Sequence, residues 1–247
     1  MINDETKRKL RELNLEDLIE ALIDQEENET TTLLSFDERM NKAVDDLYTR
    51  KNSARAKRLL KYAKLRYKDA DVATLYYEGR DLDRNQVLEL STCNYFRANQ
   101  NIIINGFTGS GKSYVASALG KAACRRLHRT RYYRMPELME VLNIAEQVGK
   151  SISKTVTRLA NYLLLIIDEW LLDIPSDVEQ KYLLEILEKR YDAWPTIFCT
   201  QYKIPEWHPR LGGGVLADAI MDRIVHNSIL VNTGKYNMRE FLSKNNL

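Results

Sequence analysis

Residues 106–113 read GFTGSGKS, and this octapeptide decides the fold class. It matches the pattern G-x-x-x-x-G-K-S/T, in which consecutive backbone N–H groups curl around phosphate oxygens. Gly109 and Gly111 permit the positive φ angles that such a curl requires. We expect Lys112 to reach the β- and γ-phosphates of a nucleotide, and Ser113 to offer its hydroxyl to Mg²⁺. The loop would open a helix, whose N-terminus favours an anion.

The segments on either side favour a phosphate loop over a glycine-rich turn without a ligand. Upstream, residues 101–105 (NIIIN) form a short β-branched run that is typical of a central strand. Downstream, residues 114–127 are rich in Ala and Leu and contain no Pro, as expected of a helix. A phosphate loop has this context of strand and helix. We therefore predict that a nucleotide is bound by Gly106, Thr108, Gly109, Ser110, Gly111, Lys112, Ser113 and Tyr114.

A second stretch, LLLIIDE at residues 163–169, supplies what hydrolysis needs in addition. Its aliphatic residues predict a buried strand, and ligands of open α/β sheets lie at the carboxyl ends of the strands. We expect Asp168 to hold Mg²⁺ together with Ser113, directly or through water. Glu169 would orient or deprotonate the attacking water. A phosphotransferase would not need a water-activating glutamate here, so the pair favours hydrolysis.

Short apolar strands alternate with helical segments from about residue 88, which predicts a parallel sheet covered on both faces. The strand candidates are Ile102–Ile104, Arg131–Tyr133, Leu163–Ile167, Thr196–Thr200 and Ile229–Val231. Helices are expected to begin near Pro136 and at Ser176, where Glu179 completes a capping box. The fourth strand ends in polar residues, so Thr200 or Gln201 would contact the γ-phosphate or its water.

The first 70 residues predict a small all-helical domain that binds a partner or DNA, followed by an ATPase domain over residues 71–247. Leu15, Leu18, Ile19 and Leu22 follow helical spacing. Ser35 and Glu38 form another capping-box pattern. The helix that follows is expected to continue into the basic stretch at residues 50–68.

Composition limits the class of protein. The net charge is only +2, but residues 50–68 contain many Lys and Arg and no Asp or Glu, which indicates a polyanion partner. Three widely spaced cysteines and three histidines offer neither a disulfide framework nor zinc-ligand spacing, which favours a reduced intracellular setting. An apolar signal-peptide core is absent, and the longest apolar run is too short to span a bilayer. We expect a soluble, cytoplasmic protein with no membrane partner.

Two groups of basic residues are candidates for DNA contact, through the backbone and without reading sequence. The first, in the basic stretch, comprises Arg55, Lys57, Arg58 and Lys61. The second flanks a helix before the Asp-Glu strand and would line a central channel in an oligomer; it comprises Lys150, Lys154 and Arg158. A competing stretch, residues 121–131, ends the helix after the phosphate loop, where basic residues also complement the helix dipole. A solvated helix face remains the alternative for the first group.

Four segments together resemble IstB-type proteins, the ATP-binding transposition helpers of bacterial insertion sequences, which are relatives of the DnaC helicase loader among the AAA+ ATPases. The segments are Gly106–Ser113, Leu163–Glu169, Thr200–Trp207 and Leu216–His226. The resemblance spans roughly residues 54–239. Its first two segments occur in many ATPases, whereas the LADAIMDR block and the TQ…W stretch are more specific to the family.

The resemblance implies an AAA+ fold with a five-stranded parallel sheet. It also implies ATP-dependent homo-oligomers on double-stranded DNA, and recruitment or stimulation of the transposase of the same insertion sequence in the bacterial cytoplasm. It places Thr200 or Gln201 at the position that senses the γ-phosphate. It implies that Arg223 reaches the ATP site of an adjacent subunit, where a guanidinium would stabilise transition-state charge. A local salt bridge of Arg223 with Asp222 or Asp218 is the alternative.

The residues after the last predicted strand are too few for a full AAA+ lid, so a complete C-terminal lid is not expected. Arg239 matches a terminal position of the family pattern and would be a second sensor arginine. Two other functions remain open. A helicase loader would share these motifs but act on a replicative helicase. A small-molecule kinase would use the same loop but has no role for the basic stretches.

Overall fold

The computed structural model describes residues 2–28, 31, 33–149 and 151–245. Contacts divide the chain into two compact units, residues 1–57 and residues 58–247. The functional division near residue 70 remains a prediction.

The first unit is helical. It contains α1 (Asp4–Glu12), α2 (Glu16–Glu27) and most of α3 (Phe36–Ala63), which continues into the second unit and through much of the basic stretch, as predicted. The capping box is present: Glu38 N donates to Ser35 Oγ at 3.3 Å, and Ser35 N donates to Glu38 Oε2 at 2.9 Å. Arg50 pairs with Glu20 and Asp24 inside this unit.

The second unit is built on a five-stranded parallel sheet with the order β2-β3-β4-β1-β5. All five strands fall where the apolar runs predicted them, within a residue or so at each end. They are β1 (Asn101–Asn105), β2 (Thr130–Arg134), β3 (Leu164–Asp168), β4 (Thr196–Thr200) and β5 (Ser228–Asn232).

Helices connect the strands and cover the sheet. They are α4 (Arg84–Ser91), α5 (Lys112–Arg125), α6 (Met135–Gln147), α7 (Ile152–Ala160), α8 (Asp177–Arg190), α9 (Trp207–Arg210), α10 (Gly214–Val225) and α11 (Met238–Asn245). Short 3₁₀ helices lie at Val72–Thr74, Asn94–Phe96 and Ile204–Glu206. Ser176 and Glu179 form the predicted capping box of α8. No helix in the described ranges is both long and apolar enough to cross a membrane.

Each face of the sheet has its own apolar core, because side chains alternate along a strand. On β1, Ile102 and Ile104 join one core and Ile103 joins the other. Every residue of β3 is buried, which explains its unbroken aliphatic sequence. The carboxyl ends of the strands are therefore held rigidly from both sides, and they position the site.

Candidate active site

The phosphate loop connects β1 to α5 and has the backbone that the sequence predicted. Gly109 and Gly111 have φ angles of +84° and +89°. A Cβ at Gly109 would lie 2.5 Å from Asn237 Oδ1, so the close approach of the following chain also requires glycine. The loop is tied to that chain by Met238 N, which donates to Gly109 O at 2.9 Å.

Lys112 is the first residue of α5 and lies over the loop. Its Nζ donates to the carbonyl oxygens of Gly106 and Phe107 at 2.7 and 2.9 Å. Burial lowers the pKa of Lys112, although the neighbouring charge of Asp168 opposes this shift. The ammonium is thus partly withdrawn from water, where its attraction for a phosphate is strengthened.

A cavity of about 570 Å³ adjoins the loop and brings most predicted nucleotide and catalytic residues together. The predicted residues that line it are Thr108, Gly109, Gly111, Lys112, Ser113, Tyr114, Asp168, Glu169 and Thr200. Ser110 and Gly106 belong to the loop but do not line the cavity, and both adjoin Thr233. The Ser110 hydroxyl shares a hydrogen bond with Thr233 Oγ1 at 2.6 Å, and a Cβ at Gly106 would overlap the same Thr233 oxygen.

Asp168 ends β3, and only 2% of its side chain is exposed. Tyr132 on the adjacent strand donates its hydroxyl to Asp168 Oδ2 at 2.5 Å, and Glu169 N donates to Oδ1 at 2.9 Å. Burial raises the pKa of Tyr132 and the charge of Asp168 raises it further, so the phenol remains a donor. The carboxylate is therefore fixed in orientation before any ligand binds.

Glu169 follows directly and has a left-handed φ of +59°. Arg134 Nε donates to Glu169 Oε2 at 2.8 Å, and an Arg66 terminal nitrogen donates to Oε1 at 3.2 Å. Burial raises the pKa of Glu169, but the hydrogen bond and charge of Arg134, followed by those of Arg66, outweigh burial and lower it. Glu169 is consequently ionised at neutral pH.

The side-chain oxygen atoms of Ser113 and Asp168, which line the cavity, are suitable ligands for Mg²⁺. Ser113 supplies a hydroxyl and Asp168 a carboxylate, which are the hard oxygen ligands that this ion prefers. The described residues contain no group of three or more His, Cys, Asp or Glu side chains that would hold a metal alone. Such a site suits an ion whose remaining ligands are phosphate oxygens and water.

Thr200, the last residue of β4, and Gln201, which follows it, have different hydrogen-bond partners. The Thr200 hydroxyl donates to Trp170 O at 3.0 Å and accepts from Tyr202 N at 3.1 Å. Gln201 Oε1 instead accepts from the Thr108 hydroxyl of the phosphate loop at 2.8 Å. Both residues line the cavity, but the Thr200 hydroxyl is engaged by the backbone, whereas Gln201 contacts the loop itself.

Several cavity residues were not found by sequence reasoning. Arg80 donates from one terminal nitrogen to Ser110 O at 2.5 Å and from the other to Tyr76 O at 2.8 Å, so it braces the loop. Tyr76 and Tyr67 form aromatic parts of the wall. These residues precede β1 and follow no motif or periodic pattern that would have revealed them. Arg239, proposed only from the terminal pattern, also lines the cavity.

Arg223 lies outside the cavity. Its terminal nitrogens pair with Glu188 Oε1 and Asp222 Oδ2, each at 2.8 Å, so the local bridge to Asp222 is present and Glu188 is a second partner. The Asn101 amide donates to Arg223 O at 3.2 Å, and Asn101 is the first residue of β1. Arg223 therefore lies at the amino end of the strand whose carboxyl end opens the phosphate loop.

The predicted DNA-contact residues are exposed where they are described. Lys154 and Arg158 lie one turn apart on α7, opposite the buried Val156 and Leu159, whereas Lys150 lies outside the described residues. Four further predicted residues are exposed, namely Arg55 and Lys57 in the first unit and Arg58 and Lys61 in the second.

In the competing basic stretch, residues 121–131, most Lys and Arg side chains have partners within the fold. Lys121 and Arg125 pair with Asp71 at 3.4 and 2.8 Å. Arg131 donates to Tyr62 O at 2.9 Å. These contacts leave fewer free cations there than on α7.

The sheet order, the phosphate loop and the acid pair define a P-loop ATPase of the AAA+ type. Solved structures that share the fold include a helicase loader and a replication initiator. The DnaC helicase loader has a TM-score of 0.55 at 19% identity, covering 66% of this chain and 96% of that chain. The replication initiator DnaA bound to AMPPCP and single-stranded DNA has a TM-score of 0.60 at 19% identity, covering 74% of this chain and 57% of that chain.

The chain belongs to the family described as IstB-like ATP binding protein, whose profile matches residues 8–245. It is 33% identical over 228 residues to the putative insertion sequence ATP-binding protein y4uH of Sinorhizobium fredii. The aligned region covers 92% of each protein. The IstB-type resemblance of the sequence is thereby confirmed, and the chain is an ATP-binding AAA+ ATPase.

Proposed function

We propose that this ATPase assembles on double-stranded DNA with ATP bound between subunits, and that it assists the transposase of its insertion sequence. The observation that carries the proposal is the placement of Arg223 at the sheet end opposite to the phosphate loop. Arg223 then does not reach the ATP site of its own subunit, and it would serve the site of a neighbouring subunit.

The length of β1 separates Arg223 from the phosphate loop of its own subunit by more than one side chain can span. Five residues rise about 3.3 Å each, so the ends of the strand are about 13 Å apart, and the loop extends further. Arg223 would therefore act on another subunit's nucleotide, and its exposed surface, at 29% of the side chain, is available for that contact.

Within one subunit, each residue has a separate task. The loop amides and Lys112 would bind the phosphates, and Ser113 and Asp168 would hold Mg²⁺, which neutralises phosphate charge when bound. Glu169 would position the attacking water and accept its proton. Gln201 or Thr200 would contact the γ-phosphate, and Gln201 is favoured because its side chain already reaches Thr108.

DNA binding would be directed to the backbone. The exposed cations Lys154 and Arg158 lie on α7, a helix that contains no aromatic residue. Arg58 and Lys61 add exposed charge at the end of α3. Neutralised phosphates release counterions, so affinity should fall steeply with salt and depend little on sequence.

The transposase is the proposed partner because y4uH is named as an insertion sequence protein. Similarity to the DnaC helicase loader is a similarity of fold, so a loader function is the alternative outcome of the partner test.

The assembly test is electron microscopy of the full chain with a non-hydrolysable ATP analogue, with and without duplex DNA. We expect DNA-dependent oligomers with the analogue at subunit interfaces and Arg223 facing it. Monomers under all conditions, or an analogue enclosed within one subunit, would reject the proposal. Capture assays against the insertion sequence's own transposase and a replicative helicase then decide the partner, and preferential capture of the helicase favours the loader.

A further inference from the structure

Asn101, the first residue of β1, uses both halves of its side-chain amide. Its Oδ1 accepts a hydrogen bond from Thr196 N, at the first residue of β4, with a length of 2.9 Å. Its Nδ2 donates to Arg223 O at 3.2 Å and to Ile224 O at 3.3 Å. One side chain therefore connects the amino ends of two strands to the end of α10.

The end of α10 requires such a donor, because the last four carbonyl groups of an α-helix have no partner within the helix. Arg223 and Ile224 are among the last three residues of α10, which ends at Val225. The carbonyl oxygen of Val225 accepts a further hydrogen bond from Ser228 Oγ at 2.9 Å. The backbone that carries the Arg223 side chain is thus held by the sheet as well as by its own helix.

The guanidinium of Arg223 is held separately from its backbone. Glu188 and Asp222 each contact it at 2.8 Å. A phosphate of a neighbouring subunit's nucleotide would compete with these two carboxylates for the same charge. The hydrogen bonds from Asn101 involve only the backbone, so they would persist when the guanidinium turns to that phosphate. In the assembled state, the position of Arg223 would then depend on Asn101.

We propose that Asn101 is a positioning residue for hydrolysis at the ATP site of an adjacent subunit, because it fixes the backbone from which Arg223 reaches that site. The proposal rests on the proposed function, since it requires Arg223 to act between subunits. Asparagine suits the role because its amide offers a donor and an acceptor at once. An aspartate would keep an acceptor for Thr196 N but would place a second oxygen against two carbonyl oxygens.

The first test compares hydrolysis by full-length Asn101→Asp and Asn99→Asp variants in the presence of duplex DNA. The two substitutions make the same chemical change, and the Asn99 amide also donates to a backbone carbonyl, that of Asp192, at 2.6 Å. Asn101→Asp should lower hydrolysis by about tenfold or more, because a misplaced catalytic group loses much of its effect. Asn99→Asp should hydrolyse like the wild type. Both variants should bind a fluorescent ATP analogue normally as isolated subunits.

A double variant distinguishes positioning of Arg223 from a general structural role. If Asn101 acts through Arg223, its loss has no further effect once that arginine is gone. The combination of Asn101→Asp with Arg223→Ala should therefore hydrolyse ATP at the rate of Arg223→Ala alone. Mixing Asn101→Asp subunits with Lys112→Ala subunits should also recover hydrolysis, because the first keep an intact phosphate loop and the second keep Asn101 and Arg223. Asn101→Ala removes the donor without adding a charge, and it replaces the aspartate variant if that variant folds poorly.

The outcomes separate this proposal from the proposed function. Unchanged hydrolysis by Arg223→Ala in the DNA-bound assembly would reject the proposed function. A strong loss in Arg223→Ala, beside Asn101→Asp and Asn101→Ala variants that hydrolyse like Asn99→Asp, would overturn the positioning role alone. A double variant that is slower than Arg223→Ala by the full effect of Asn101→Asp would also overturn it.

Discussion

The two ends of the sheet differ in burial and in charge. At the carboxyl end, the phosphate loop, Asp168 and Glu169 surround a cavity and are bonded to residues of their own unit. At the amino end, Arg223 is held on the surface between Glu188 and Asp222, with Tyr191 beside its guanidinium. One end holds the candidate catalytic residues, and the other holds a partly exposed cation whose orientation is fixed by two carboxylates.

Under the proposed function, this difference separates the residues that serve the site of their own subunit from the residue that serves a neighbouring subunit. A residue that serves its own site can be buried, because nothing has to approach it from outside. A residue that serves a neighbouring subunit has to remain accessible, and its orientation has to be fixed. The carboxylates of Glu188 and Asp222 fix the orientation of the Arg223 guanidinium. Substitutions at the two ends should therefore have effects that depend differently on assembly.

The largest effect is expected for Arg223→Ala. Hydrolysis in the DNA-bound assembly should fall by about 10³-fold, because the variant removes a guanidinium from the transition-state charge. Nucleotide binding by isolated subunits should change little. Steady-state hydrolysis with duplex DNA, and binding of a fluorescent ATP analogue without it, measure the two quantities.

A mixture of two variant subunits provides the control for Arg223→Ala. Subunits with Arg223→Ala keep an intact loop, and subunits with Lys112→Ala keep Arg223, so a mixture should recover hydrolysis that neither has alone. The exposed Lys189→Ala on α8 should hydrolyse normally. A mixture with no more activity than its components would show that Arg223 does not act across subunits.

A smaller loss, about 10²-fold, is expected for Glu169→Gln, because the amide cannot accept the proton of the attacking water. ATP binding should persist, since Lys112 and the loop are unchanged. In contrast to Arg223→Ala, the defect should not be rescued by mixing with Lys112→Ala subunits. Turnover near that of the wild type would exclude Glu169 as the water-positioning residue.

Sequence predicted the carboxyl-end elements well for a physical reason. The loop and the acid pair are contiguous motifs, and the buried strands require unbroken aliphatic runs such as that of β3. The partners of the acids were not predictable in this way. Arg134 meets Glu169 through the β2–β3 register, and Arg66 comes from more than one hundred positions away. Arg134 stands out in neither composition nor spacing, and the composition of the basic stretch does not distinguish Arg66 from the other cations in it.

Tyr132 is another such partner, and its removal should have the smallest effect of the three substitutions. Tyr132→Phe deletes the hydroxyl that orients Asp168, and loss of a group that orients a metal ligand typically weakens metal binding by about tenfold or more. The Mg²⁺ concentration for half-maximal hydrolysis should rise accordingly, with the maximal rate largely kept. Tyr133→Phe is the matched control, because Tyr133 belongs to the opposite core. Equal Mg²⁺ dependence in both variants would mean that Arg66 and the Glu169 amide suffice to orient Asp168.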